Sequence, residues 1–503
     1  MTINDKLTQG RRLARNSILN FIGYFAPMLV AVFTIPPLVR GIGTDRFGVL
    51  TLAWVLIGYL SLFDMGLSRA LTKMVAERLG SGEEHDIPAL VRTGVFLLCV
   101  MGICVAVIAT PFLPWLVRSV LNLPLELQTE TLNAFYLLVW SLPVVIPGIG
   151  LRGVLDAYQR FDLTNAVRVT LGIFSFSAPL LVLFFSQSLF PIVGALSVGR
   201  VVACMVHLLL CLRVVPRLRL GIALKRGMAG QLIRFGGWMT VTNVISPLMI
   251  YLDRFLIGSI LSATAVAYYA TPSEVVTKLW LLPGAMMGVL FPAFSTSFVH
   301  NRAHTVFLFE RGVKYIFLAL FPITLLIITL ANEGLDFWLG GGFAQNSTRV
   351  LQWMAAGVFV HSLGQVPYSL IQGTGRPDLT AKLRLAELPF YLILLWWLIS
   401  ANGIVGATIV WTVRIIADTL VLFAMARRLL QLGTGMMLRK CFVVWPAFLT
   451  LAIAMTLTDL ALKGVLLSAA FLIYVPVAWF LLLTSEERMW ITRHLTKKQM
   501  NQQ

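Results

Sequence analysis

Arg200, Arg254, Lys278 and Arg414 lie inside otherwise apolar stretches of this chain, and the carboxylates Asp253, Glu274, Asp418 and Asp64 accompany them. A charge held in hydrocarbon costs at least about 2.5–3.5 kcal/mol, so residues of this kind are kept for a purpose. Two chemistries suit them. Arginine presents a planar fork that grips phosphate oxygens two at a time, which makes Arg200 and Arg414 candidates for contact with an anionic substrate. Arg254 and Lys278 are further candidates of the same sign. A carboxylate in a membrane takes up a proton or holds a small cation, which makes Asp253, Glu274, Asp64 and Asp418 candidates for ion coupling.

The competing account is structural. Asp418 stands one helical turn after Arg414, and Glu274 one turn before Lys278, in the order that favours a pair. No acidic residue lies within a turn of Arg200. Asp253 and Arg254 are adjacent, so on a helix they point about 100° apart and cannot serve one direction. The bland account groups Asp253, Arg254, Glu274 and Lys278 as a lock on one helical hairpin. Asp64 is also suited to capping a helix or pairing with Arg69. His361, Gln365 and Gln372 share one helical face, a candidate sugar-binding wall, with buried helix–helix contact as the alternative.

Other chemistries find no support. No Gly-x-x-x-x-Gly-Lys phosphate loop is present, and Gly340-Gly341-Gly342 opens no dinucleotide fold. Cys99, Cys104, Cys204, Cys211 and Cys441 fall on apolar segments without metal-ligand spacing, so neither a disulfide framework, a metal nor a cofactor is implied.

The elements that hold these residues are membrane helices. The chain is 58% hydrophobic and 12% charged, and no formal charge occurs in 169–199, 388–413, 93–117 or 279–301. About 20 apolar residues in a helix span a bilayer core. Continuous runs exclude the alternation of a β-barrel. The pattern predicts an all-α polytopic protein of about fourteen transmembrane helices, at 16–39, 46–66, 88–112, 130–150, 166–187, 189–212, 235–261, 265–291, 312–332, 350–375, 380–401, 404–426, 441–458 and 462–483. The first of them is a retained helix rather than a cleaved signal.

Most of the 40 Lys and Arg fall on one side of that topology, the other side holding only Arg40, Arg46, Arg118, Arg349 and Lys463. This puts both termini in the cytoplasm. The net charge of +18 is then topology and attraction to membrane lipids, not nucleic-acid binding.

The chain also repeats itself. Arg160-x-Asp162-Leu163-Thr164 with Arg168 recurs as Arg376-x-Asp378-Leu379-Thr380 with Arg384, and Ile192-Val193-Gly194-Ala195 recurs as Ile404-Val405-Gly406-Ala407. A spacing of six helices preserves orientation, so two parallel six-helix lobes are expected: 1–212 and 235–426, joined by a basic connector at 213–234. Two more helices and a tail follow at 427–503. Such an architecture seats its substrate between lobes.

In its motifs the chain resembles the polysaccharide transporter (oligosaccharide flippase) family of the multidrug/oligosaccharidyl-lipid/polysaccharide exporter superfamily. The first half carries Arg40-Gly41-Ile42-Gly43, Arg46-Phe47-Gly48 and Leu62-Phe63-Asp64-Met65-Gly66-Leu67. The second carries Leu252-Asp253-Arg254-Phe255-Leu256-Ile257-Gly258, Ala267-Tyr268-Tyr269-Ala270, Phe291-Pro292-Ala293 and Phe337-Trp338-Leu339-Gly340. The resemblance implies a non-enzymatic flippase of the bacterial inner membrane. It would carry an undecaprenyl-pyrophosphate-linked oligosaccharide to the outer leaflet by alternating access, with H+ or Na+ as coupling ion and polymerase machinery as a contact. A multidrug exporter and a membrane glycan polymerase or ligase are the alternatives. The basic excess in helices six and twelve opposes the first, and the short outer loops oppose the second.

Overall fold

The computed structural model describes residues 3–60, 64, 66–219, 227–232, 252–431, 434–483, 485 and 487–489, and all structural statements concern these residues. They form helices joined by short turns, with no strand among the described residues. Eight of the helices are long and apolar enough to cross a membrane. The chain is an integral, multi-pass membrane protein.

Most expected helices are present, with ends that differ from the expected ones by up to about ten residues. Ile87–Ala109, Leu125–Ala157, Phe161–Leu183 and Leu189–Val214 cover the third to sixth, and Arg302–Thr329 and Gly341–Gly373 the ninth and tenth. Ile3–Leu60 and Pro377–Leu430 each hold two expected helices, broken at Gly43 (φ 82°) and Gly403 (φ 61°). Positive φ strains any side chain, so glycine marks both breaks. Helix seven lies largely outside the described residues, apart from helical 252–260.

Three features depart from the expected pattern. Leu67–Ser81 is a helix of its own, starting after Gly66 at positive φ. Asp64 caps it, accepting from the Gly66 N–H at 2.9 Å and the Ser68 N–H at 3.3 Å. Ala331–Leu339 is a short amphipathic helix inside an expected loop. Lys463, expected in a loop, sits in helix Leu460–Pro476, buried, with Nζ 2.7 and 3.1 Å from the two Glu333 carboxylate oxygens.

The duplicated motif folds twice into one turn. The Arg160 N–H donates to the Leu155 carbonyl at 3.0 Å, and the Arg376 N–H to that of Ile371 at 3.1 Å. Residues 159 and 375, both at positive φ, donate to the carbonyls of Asp156 and Gln372. Arg160 Nε reaches Asp162 Oδ1 at 3.1 Å, and Arg376 Nε reaches Asp378 Oδ1 at 3.2 Å. Each Asp stands in the first turn of the following helix, where the macrodipole favours negative charge.

The chain packs as two compact units, Met1–Thr271 with Leu388–Ala407, and Pro272–Glu387 with Thr408–Gln503. Residues 252–271 pack with the first unit. In the first unit, Phe135, Leu138, Val139, Leu142 and Ile146 of helix Leu125–Ala157 form a buried stripe at helical spacing. Backbones approach closely at Gly48, where a Cβ would lie 1.8 Å from the Ala263 carbonyl oxygen. Nearby, the Thr264 hydroxyl donates to Asp45, and Asn122 Nδ2 to the Leu261 carbonyl at 2.6 Å. In the second unit, the hairpin of Thr434–Thr456 and Leu460–Pro476 is tied at one end by Lys463–Glu333 and by Arg349 Nη1 to the Met455 carbonyl at 2.8 Å. At its other end Glu487 receives Lys314 Nζ at 2.7 Å and the Tyr315 hydroxyl.

Candidate functional site

Helix Gly341–Gly373 sets out His361, Gln365, Tyr368 and Gln372 at spacings that keep them on one face. That face lines a cavity of about 360 Å³ in the second unit. Met287 and Phe291 of helix Leu281–His300 supply apolar wall, while Arg384 and Asp418 of Pro377–Leu430 supply charge. The cavity wall is tied together. Gln372 Nε2 donates to the Tyr368 hydroxyl and to Thr380 Oγ1, both at 3.1 Å. The Arg384 guanidinium lies over the Tyr368 ring at 5.1 Å from its centroid. The Trp280 ring stands 4.9 Å from that of His361.

Behind Asp418 lies a group of mixed charge. Arg414 Nη1 is 4.0 Å from Glu387 Oε2, with the two side chains only 19% and 14% exposed. The Glu387 and Asp418 carboxyls are within hydrogen-bonding reach of each other. Arg384 and Arg414 both act electrostatically on this pair and on His361. The structure thus gathers His361, Gln365, Gln372 and Asp418 at one cavity, with Arg414 attached through Glu387. Arg414 thus meets Glu387, on the segment before the Gly403 break, besides acting electrostatically on Asp418 one turn along.

Arg384, Glu387 and Tyr368 are functional candidates that sequence reasoning passed over. A signal existed. Arg384 was visible in the duplicated motif, and Glu387 immediately precedes the uncharged run that begins at Leu388.

The remaining candidates lie on other elements. Arg200, on helix Leu189–Val214, is half-buried, and its Nη1 donates to the Leu196 carbonyl at 3.4 Å. Among the described residues no carboxylate lies within ion-pair distance of it. Asp253 and Arg254 are buried, and Asp253 receives the Tyr269 hydroxyl and, at 2.7 Å, the Arg254 N–H. Glu274 and Lys278 pair at 3.4 Å on a half-exposed face. Asp253 and Arg254 pack in the first unit and Glu274 and Lys278 in the second. Asp64 is occupied as a helix cap. Outside the spans, partial burial would raise the Glu333 carboxyl. The hydrogen bond to Lys463, a backbone hydrogen bond and the Lys463 charge together outweigh this and hold it below the usual carboxylate range.

The long-helix bundle with few internal charges, a polar cavity and repeated turns has the fold of multidrug exporters and lipid flippases. Solved structures share it. The lipid II flippase MurJ in an inward-closed conformation aligns with a TM-score of 0.71 at 12% identity, covering 92% of this chain and 98% of that one. An inward-facing multidrug resistance MATE transporter aligns at 0.66 with 13% identity, covering 82% and 94%. At sequence level, residues 13–298 match the family described as Polysaccharide biosynthesis protein. The chain is 31% identical over 414 residues to the "Putative O-antigen transporter" of Shigella flexneri, covering 82% of this chain and 96% of the relative. The chain belongs to the polysaccharide biosynthesis protein family.

Proposed function

We propose that this protein is a flippase for lipid-linked oligosaccharide in the bacterial inner membrane. It moves an undecaprenyl-pyrophosphate-linked glycan from the inner to the outer leaflet for surface polysaccharide assembly. Membership of the family and likeness to an O-antigen transporter support the cargo class. The observation that carries the reading is Arg200, a cation in an apolar helix with no carboxylate against it among the described residues. Such a residue is costly unless a mobile anion meets it, and a pyrophosphate is that anion. The cavity bearing Gln365, Tyr368, Gln372 and Arg384 offers amides, an aromatic face and a guanidinium, the groups that hold sugars and phosphates.

Transport proceeds by alternating access of two parallel six-helix repeats, with both termini cytoplasmic. The recurrence of one turn, bond for bond, at residues 155–162 and 371–378 supports the repeats. Coupling to H+ or Na+ is assigned to Asp418 rather than to Asp64 or Asp253, whose carboxylates are engaged by a helix N-terminus and by Tyr269. No chemistry on the glycan is involved.

The test is purified protein in liposomes with a fluorescent lipid-pyrophosphate oligosaccharide. Protein-dependent exposure of the label to an external quencher, with the glycan chemically unchanged, is expected. No exposure from protein that is folded and oriented, or a glycan lengthened or transferred, would overturn the reading.

A further inference from the structure

The charges around the second-unit cavity do not behave as separate ion pairs. Arg414 stands 4.0 Å from Glu387; His361, Arg384 and Asp418 line one cavity; and Tyr368 lies beneath the Arg384 guanidinium. Glu387 Oε2 is buried with no hydrogen-bond partner, and its distance to Arg414 Nη1 is at the limit for an ion pair. A pair built only to join helices would close to the shorter distance seen at Lys463–Glu333, 2.7 Å. Two carboxyls within hydrogen-bonding reach need a proton between them, and such a pair takes up protons as a unit. Arg384 and Asp418 both line the open cavity, so the charge balance of the cluster is exposed to whatever enters.

We infer that Glu387 and Asp418 are exchangeable counter-ions of Arg384 and Arg414: when the pair, which already shares one proton, takes up a second from solvent, the two guanidinium groups are released to a phosphate-bearing anion in the cavity. Binding of the anion and uptake of protons then reinforce each other, as linkage requires. When the anion leaves, the carboxyl pair gives up that one proton and returns to the arginines. The cluster stays near neutral in both states, which keeps the cost of holding it in an apolar bundle low. The inference rests on the flippase reading only in taking the physiological anion to be a lipid pyrophosphate. The shared chemistry is a diphosphate, whether free or on a prenyl chain.

The experiment titrates the full-length protein in detergent with inorganic pyrophosphate and, separately, with geranyl pyrophosphate. Binding is followed by calorimetry between pH 6 and 8, and proton uptake by a pH dye in weakly buffered solution. The wild type is expected to bind more tightly as pH falls and to take up about one proton per ligand. Glu387→Gln with Asp418→Asn should bind about tenfold more tightly at pH 8, with little pH dependence and no proton uptake. Arg384→Gln should bind about tenfold more weakly. Glu387→Gln alone, nearly isosteric, gives an intermediate profile and serves if the double variant does not fold.

Tighter binding of the prenyl form than of free pyrophosphate assigns a lipid headgroup, and equal binding assigns a free diphosphate. Binding without proton uptake in the wild type overturns the exchange, as do carboxyl variants that bind no tighter than wild type at pH 8. Wild-type flipping without proton-linked binding would defeat this inference and leave the flippase reading intact. Proton-linked binding without flipping would do the reverse.

Discussion

Replacing Arg200 by Gln should make the protein more stable and less active. The guanidinium meets no carboxylate among the described residues, and its hydrogen bond to the Leu196 carbonyl is long at 3.4 Å. Its removal therefore strands no buried opposite charge. A charged side chain in mid-span costs about 2.5–3.5 kcal/mol on insertion scales, and even partial relief should raise stability by roughly 1–3 kcal/mol. Loss of a charge-assisted hydrogen bond to phosphate should cost about 1.5–3 kcal/mol of affinity, or about 10- to 150-fold. Arg200→Lys should keep the charge and recover only part of the activity, because a lysine cannot bind two oxygens in the arginine geometry. The assays are thermal unfolding of the purified protein and the liposome flipping rate, measured on one preparation. Arg414→Gln is the contrast. It leaves Glu387 buried beside Asp418 and should cost up to about 3–5 kcal/mol. An Arg200→Gln protein that is destabilised would show that the residue ties helices together. A stable and fully active one would refute its contact with cargo.

The Lys463–Glu333 bridge should be asymmetric. Glu333 is 33% exposed and can be rehydrated, whereas the Lys463 side chain is only 4% exposed, so Glu333→Ala should cost several-fold more stability than Lys463→Ala, with the double variant in between. Because the Glu333 carboxyl is held below its ordinary value, this stabilisation is complete above the usual Glu range. It is lost as pH falls through the lowered value, and unfolding temperature against pH should show that loss in the wild type and not in Glu333→Gln. Gly48→Ala forces a Cβ to within 1.8 Å of the Ala263 carbonyl oxygen, a backbone atom that cannot rotate away. It should cost about 1–3 kcal/mol or more and weaken protection of the adjoining turns in hydrogen exchange. Asp64→Ala removes two acceptors from a helix N-terminus and should cost about 1 kcal/mol in the same melts, whereas Asp64→Asn keeps an acceptor and should cost less; equal losses would argue for a charge-dependent role.

Much of the bundle was legible because hydrocarbon imposes a single rule, that an apolar run of membrane length becomes a helix. The breaks at Gly43 and Gly403 fall in the gaps left between expected helices, at 40–45 and 402–403, and the polar face of His361, Gln365 and Gln372 followed from helical spacing alone. What escaped was tertiary. Arg414 meets Glu387 from across the Gly403 break, and no periodicity within one helix can favour that partner over Asp418, one turn away. Asp253 is held by the Tyr269 hydroxyl, a contact between elements. The short helices Leu67–Ser81 and Ala331–Leu339 were missed because neither is a membrane-length apolar run.

The C-terminal hairpin is fastened at both of its ends, by Lys463 to Glu333 and by Glu487 to Lys314, and Tyr474 adds a hydroxyl bond to the Leu318 carbonyl at 2.6 Å between them. It also presents Trp445, Leu449, Leu462, Val465, Leu472 and Ile473 as exposed apolar side chains. Any displacement of helix Arg302–Thr329 must therefore sweep this broad oily blade through the surrounding acyl chains. For the proposed flippase, lipid viscosity and acyl-chain length then enter the turnover rate directly, as friction on a part of the protein that does not line the second-unit cavity.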